Sequence, residues 1–436
     1  MTENKSMGLW SATSIGVGAM VGAGIFSIFG TATQISGNAV YISFIIAGAI
    51  ALLITYSYAK LGVRYPSAGG PVEFLIQGFG DGIISGGLNL LLWTGYIFGL
   101  VLYAKGFALY AMTFMPAGST AIWSNIFATV IIIIFTAINF IGAKAVGRSE
   151  LFIVSIKVGI LLLFAISGLF FIQPVNLSIA QFPTTPNILF GAGIVFLAYQ
   201  GFGLITNTAE DMDDPGKTLP RALYLSVLIV ICIYVLVSFA VIGNLSMSEI
   251  STAKDYALAA AAKPYLGDIG FRIMAIAAIF STSSAINASL YGGANVSYLI
   301  AKEGELPEFF ERKVWNRSTE GLLITSGLVI LCTNLLNLEG IGMLASASLL
   351  VIYMAVNLSH LRLSDETGAK RYLIYASLFS SLIFFGILIY YELLHSVATL
   401  IVFAVALIFC FIVEWTYKKY SRRTLKTRTI CDEANL

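Results

Sequence analysis

The chain is predicted to fold as an all-α polytopic membrane protein with twelve transmembrane helices, and three observations carry that prediction. Of 436 residues, 58% are hydrophobic and only 11% are charged, so apolar surface has to be buried in lipid as well as in protein. Apolar runs long enough to cross about 30 Å of hydrocarbon are centred near residues 22, 51, 97, 132, 161, 198, 232, 284, 330, 351, 382 and 406. Lysine and arginine are the third observation, because they collect in alternate loops, as retention of positive charge on the cytoplasmic side demands.

With the N-terminus inside, Lys60, Arg64, Lys144, Arg148, Lys217, Arg221, Lys302, Arg312, Lys313 and Arg317 fall in or beside the first four inner loops. Arg362, Lys370 and Arg371 follow in the fifth, and Lys418, Lys419, Arg422, Arg423, Lys426 and Arg428 in the tail. The outer side holds Lys254, Lys263 and Arg272. A multi-pass cell-membrane protein with both termini cytoplasmic is therefore expected. Residues 1–7 show no cleavable signal, since the apolar run that follows is long and lacks a small-residue cleavage site.

The first span, roughly residues 9 to 35, carries Gly16, Gly18, Gly22, Gly24 and Gly30, with the run Gly22-Ala23-Gly24-Ile25-Phe26 near its middle. A glycine costs about 1 kcal/mol against alanine in a helix, and freed backbone groups in hydrocarbon cost several kcal/mol each unless something binds them. That run reads as a helix break and hence as a candidate ligand site. The half-helix after it would turn unpaired N–H groups toward the membrane centre, where Gly22, Ala23, Gly24 and Ile25 could cradle a carboxylate. Packing is the alternative, because Gly18 and Gly22 form a GxxxG pair of the kind found where membrane helices touch.

Lys105, late in the third span, is expected to reach the outer interface. Lys157 in the fifth span, seven residues beyond Glu150, is the sharper cation, since a lysine inside a membrane helix costs about 2.5 to 3.5 kcal/mol on insertion scales. Burial favours its neutral amine and nearby carbonyls favour the ammonium, an opposition that brings proton exchange within reach of cellular pH. Snorkelling to the headgroups is the alternative.

The sixth span is interrupted by Tyr199-Gln200-Gly201-Phe202-Gly203, at a depth comparable to the first break. It runs inward, so a half-helix ending near Leu197 to Tyr199 would present free carbonyls that favour an ammonium group. Carboxylate at one break and amine at the other describe an α-amino acid, with Phe196, Tyr199 and Phe202 as walls for its side chain. Neither break holds an acidic residue, so a neutral side chain is expected. Paired broken helices are a transporter signature, and five helices per half give an inverted repeat. The repeats are expected at about 8–175 and 186–362, with helices 11 and 12 at about 372–417 outside them and a basic tail at 418–436. All form one membrane domain.

The eighth span carries a hydroxyl-rich stretch, Ser281, Thr282, Ser283 and Ser284. Before it, the loop at about 244–267 reads as an amphipathic cover. Leu338-Glu339-Gly340 reads as a tight turn between the ninth and tenth spans. His360 and His395 sit at span ends, where an interfacial role is expected. Cys232, Cys332 and Cys410 lie in spans and Cys431 in the tail, forming no CxxC pair. There is no metal-ligand spacing, no nucleotide loop and no acid–base or nucleophile constellation, so no enzyme, no cofactor and no primary pump is expected. The basic tail reads as an anchor near anionic lipid, not as a nucleic-acid site.

Gly22-Ala23-Gly24-Ile25-Phe26, Tyr199-Gln200-Gly201-Phe202, Glu210, Asp214-Pro215 and Pro220-Arg221-Ala222 together resemble the amino acid/polyamine/organocation (APC) superfamily. Within it they resemble the archaeal proton-coupled carriers of broad specificity. The resemblance implies two inverted five-helix repeats with substrate held by helices 1 and 6, and an amine from helix 5, Lys157, where other carriers hold sodium. It also implies neighbours for that amine: backbone oxygens of Gly18 or Val21 and hydroxyls near Ser283 and Ser284. Relatives of the cationic type carry Asp where this chain has Gly203. The expectation is symport of neutral L-amino acids with a proton as the coupling ion; a proton-independent amino acid or polyamine exchanger and a membrane amino acid sensor are the alternatives.

Overall fold

Helices follow one another along the chain at the expected apolar runs. In the computed structural model the described residues are 7–67, 69–80, 82–116, 121–141, 143–315, 318–336 and 338–421. Span 1 is two helices, Leu9–Met20 (1a) and Ala23–Ser36 (1b), followed by span 2 at Val40–Arg64, span 3 at Ile83–Met112, span 4 at Ala121–Ile141 and span 5 at Ala143–Leu169. Span 6 begins as an α-helix, Thr185–Val195, and continues as a 3-10 helix, Phe196–Asp211. Spans 7 to 12 are Pro215–Asn244, Ala257–Lys302, Glu320–Leu335, Leu338–Arg362, Arg371–His395 and Val397–Ser421.

Among the described residues nine helical segments are long and apolar enough to cross a membrane, one of them, Gly24–Arg64, joining 1b to span 2. Ile153–Leu169 and Glu320–Leu335 are shorter apolar helices at the fifth and ninth positions. The protein is a multi-pass membrane protein. Its outward faces are apolar, as lipid requires: span 12 exposes Ile401, Val405, Ile408, Phe409 and Ile412. Spans 1, 3, 6 and 8 supply much of the buried interior.

Hydrogen bonds between loops sort them into two ends. At one end Lys60 Nζ donates to Thr367 O at 3.4 Å, Tyr65 Oη to Glu366 at 2.6 Å and Arg362 to Gly78 O at 3.0 Å. These bonds join the loops after spans 2 and 10. At the other end Asn38 Nδ2 donates to Ser178 O at 2.9 Å and Gln173 N to Gly243 O at 2.8 Å, joining the loops after spans 1, 5 and 7. The basic residues of the loops after spans 2 and 10 thus share one end, and Lys254 and Lys263, in the loop after span 7, lie at the other. Arg317, Arg422, Arg423, Lys426, Arg428, Cys431 and residues 1–6 lie outside the described residues.

Several expectations need correction. Leu338 to Gly340 are the first residues of span 10, and the junction lies just before them, after span 9 ends at Leu335. His360 is no interfacial residue: it is fully buried, with Nδ1 2.9 Å from Ser57 Oγ and Nε2 3.1 Å from Thr367 Oγ1. The loop after span 10 folds back over it, which no local pattern announces. The outer cover holds a short helix, Met247–Thr252, and a 3-10 turn, Lys254–Tyr256, and it presses on 1b closely enough that a Cβ at Gly30 would meet Lys254 O. A small antiparallel hairpin, Lys313–Trp315 with Ser318–Thr319, interrupts the helical pattern after span 8.

Candidate functional site

The first break is sharp. Val21 (φ −76°, ψ 42°) and Gly22 (φ −95°, ψ −128°) leave the helical region, so 1a ends and 1b starts anew. A helix end leaves carbonyls without intrahelical partners, and those of 1a are met by side chains from three other spans. Lys157 Nζ donates to Gly18 O at 2.7 Å, Tyr234 Oη to Met20 O at 2.6 Å and Ser281 Oγ to Val21 O at 2.6 Å. Val17 O accepts from the Val21 N–H at 2.7 Å. Across the break the N-cap position of 1b is Gly22, which has no side chain with which to cap the first turn. Its first-turn donors and the partial positive charge of the half-helix face the break.

Lys157 is 2% exposed, held away from the headgroups by its bonds to span 1 and to Ser284 Oγ at 3.2 Å. Of the four neighbours named for it, Gly18 and Ser284 touch it. Val21 O is taken by Ser281, and Ser283 makes neither bond. The side chain of Glu150 is outside the described residues.

Span 6 differs from its expected form. No extended break occurs at Tyr199 to Gly203; the helix tightens from Val195 onward into a 3-10 helix that runs to Asp211. Runs of that type longer than about 3–4 residues are uncommon and mark hinges. Tightening keeps the backbone bonded, and the carbonyls at Leu197 to Tyr199 are not all free, because Tyr234 Oη also donates to Ala198 O at 3.0 Å. Gln200 O accepts from Tyr353 Oη at 3.4 Å. Tyr234, on span 7, therefore ties both interrupted helices with one hydroxyl. Sequence reasoning missed it, since a tyrosine in an apolar helix reads as core.

The glycines serve contact. A Cβ at Gly24 would lie 2.7 Å from Ala198 Cα, one at Gly201 2.6 Å from Met20 N, and one at Gly22 2.4 Å from Ala285 Cβ. Spans 1 and 6 thus touch backbone to backbone at two points, and span 8 closes on the break itself. Ile25 and Phe26 are buried beside it, and Phe26 O accepts from Tyr110 Oη at 3.2 Å. The expected wall residues are all buried, in two aromatic groups. Phe202 stacks on Tyr353 with centroids 5.6 Å apart, Phe196 meets Tyr353 at 5.8 Å, and Tyr199 packs on Tyr234 at 5.2 Å and donates to Phe44 O at 2.9 Å.

Above the break lies a vestibule of about 590 Å³, lined by 1b, the outer part of span 6 (Ile194, Leu197), Leu102 of span 3 and spans 10 to 12. Its lining includes Glu392 and His395 of span 11 and Ser396 and Thr399 at the start of span 12. At the opposite end, in the loop after span 8, Glu305 is 3% exposed and accepts from Asn89 Nδ2 at 2.6 Å. Burial pushes its carboxyl up to about 8, against the Asn89 bond that opposes the shift and with the Glu414 carboxylate adding to it. Among the described residues no group of His, Cys, Asp or Glu is arranged to hold a metal ion.

Paired interrupted helices in a multi-pass bundle, with backbone dipoles around an enclosed break, are the arrangement of a membrane transporter. Residues 7–430 match the amino acid permease family, and the chain belongs to it. An uncharacterised protein of Methanocaldococcus jannaschii is 45% identical over 423 residues, 97% of each chain. An inner membrane transport protein of Escherichia coli is 36% identical, covering 84% of this chain and 86% of that one. A branched-chain amino acid permease of Bacillus subtilis is 26% identical over 70% and 68%.

Proposed function

We propose that this amino acid transporter carries neutral L-amino acids across the cell membrane together with a proton, by alternating access around the break in span 1. The carrying observation is the asymmetry of that break. Side chains occupy the carbonyl end of 1a, whereas the N-cap of 1b is a glycine with no side chain to cap its donors. A carboxylate fits there, drawn by N–H groups and the half-helix dipole. The substrate's ammonium takes carbonyl lone pairs on span 6. Ala198 O and Gln200 O each bond a tyrosine beside the helical bond of the 3-10 turn, so the ammonium replaces one of those bonds when it enters.

Gly22, Ala23, Gly24, Ile25 and Phe26 form one side of the site, and Phe196, Tyr199, Gly201 and Phe202 the other. Lys157 is the coupling residue. As an ammonium it bonds Gly18 O and Ser284 Oγ and so fastens spans 1, 5 and 8 together, each charge-assisted bond contributing about 1.5–3 kcal/mol. Loss of its proton weakens that fastening and frees 1a to swing. Residues 8–175 and 186–362 act as the two halves that rock against each other. The basic loops mark the cytoplasmic end, with both termini on that side.

Uptake of labelled alanine into proteoliposomes tests the reading. Accumulation above the equilibrium level under an inward proton gradient, and none when the gradient is collapsed, is the expected result. Uptake that requires internal amino acid and ignores the gradient would instead establish an exchanger.

A further inference from the structure

Buried hydroxyls in these spans bond the carbonyl one turn back. Thr13, Thr33, Thr55, Ser238 and Thr282 donate to residues four earlier, at 2.7–2.8 Å. Ser27 departs from the pattern. It is 6% exposed, its Oγ has no hydrogen-bond partner, and it lies at the floor of the vestibule. A buried hydroxyl without a partner gives up its solvation for nothing, so such a group in a ligand path marks a bond made when the ligand is present. Span 3 packs against it. The residue facing it is Gly106, where a Cβ would sit 2.0 Å from Ser27 Oγ, and the neighbouring floor residues Ile28, Leu102 and Leu197 are apolar.

We propose that Ser27 is a specificity-determining residue, hydrogen-bonding a polar group on the side chain of the transported amino acid. This rests on the reading above, in which the carboxylate is held at the first turn of 1b. Ser27 stands four residues beyond Ala23, about 6 Å along the helix axis. A bound carboxylate, the α-carbon, one or two further atoms and a hydrogen bond of about 2.8 Å together span that rise. The hydroxyl therefore meets an oxygen or nitrogen at the γ or δ position, as in hydroxyl and carboxamide side chains. An aliphatic side chain leaves it unpaired.

Threonine and valine are nearly the same shape and differ in that bond, so their ratio is the test. Uptake of each is measured in proteoliposomes for the wild type, Ser27→Ala and Ser27→Cys. Ser27→Ala should raise KM for threonine about fivefold, the size of one net hydrogen bond, and leave valine unchanged. Gly106→Ala, which displaces the hydroxyl from the other side, should shift the ratio the same way. Equal changes for threonine and valine, or no change for either, would overturn the proposal, since a head-group or purely structural role predicts them. Should the wild type carry alanine but not threonine, this inference fails; should it carry none of the three, the transport reading itself fails. A wild type that carries both, with a ratio indifferent to residue 27, refutes this inference alone.

Discussion

Spans 1 and 6 occupy matching places and are interrupted in opposite ways. Span 1 leaves the helical region at Val21 and Gly22 and starts again; span 6 never leaves a helix but overwinds from Phe196 to Asp211. A clean break creates two charged ends, and the protein then has to neutralise one of them, which it does with Lys157, Tyr234 and Ser281. Overwinding keeps most backbone groups bonded and supplies shape and aromatic rings. In the proposed mechanism charge recognition is therefore concentrated in span 1, and span 6 sets the walls and the hinge.

That division can be broken most severely at Lys157. Lys157→Ala should abolish gradient-driven accumulation of alanine while leaving a fraction of exchange, because the coupling proton and the bond to Gly18 O go together; accumulation that survives would remove Lys157 from the mechanism. Next come the two backbone contacts. Gly24→Ala and Gly201→Ala push a Cβ into span 6 and span 1 respectively, and overpacking of this kind costs about 1–3 kcal/mol, seen as a lower thermal midpoint in detergent. An unchanged midpoint for both would mean the two helices are less tightly apposed than the geometry requires.

Tyr234→Phe sharpens the comparison further. One hydroxyl proton is shared between Met20 O and Ala198 O, so its loss should cost about 1 kcal/mol of stability and weaken alanine binding by isothermal titration roughly fivefold. Equal binding in the two proteins would show that the bridge does not tie the breaks together. The smallest effect is a background to any pH study of Lys157. Glu305 has its carboxyl at about 8 against an ordinary 4.5, so in that interval the folded protein keeps a proton that the unfolded chain has released. The stability this group contributes is complete below the lower value and is lost as pH rises through the upper one. The thermal midpoint should fall between about pH 5 and about pH 9, and Glu305→Gln should flatten that fall. A slope unaltered by the substitution would place the titrating group elsewhere.

The amino-acid order alone was enough to determine the membrane class, the run of apolar spans, the break at Gly22 and the singular position of Lys157. Each is an exception to what hydrocarbon tolerates, and exceptions with a large transfer cost stand out without any knowledge of neighbours. Tertiary structure alone decided who meets whom. Tyr234 lies 36 residues from Ala198 and 214 from Met20, Ser281 is 260 residues from Val21, and nothing local distinguishes either from an ordinary core residue. The overwound form of span 6 and the burial of His360 under a returning loop belong to the same class. They follow from packing between distant segments, where each residue's state depends on a partner that its own surroundings in the chain do not reveal.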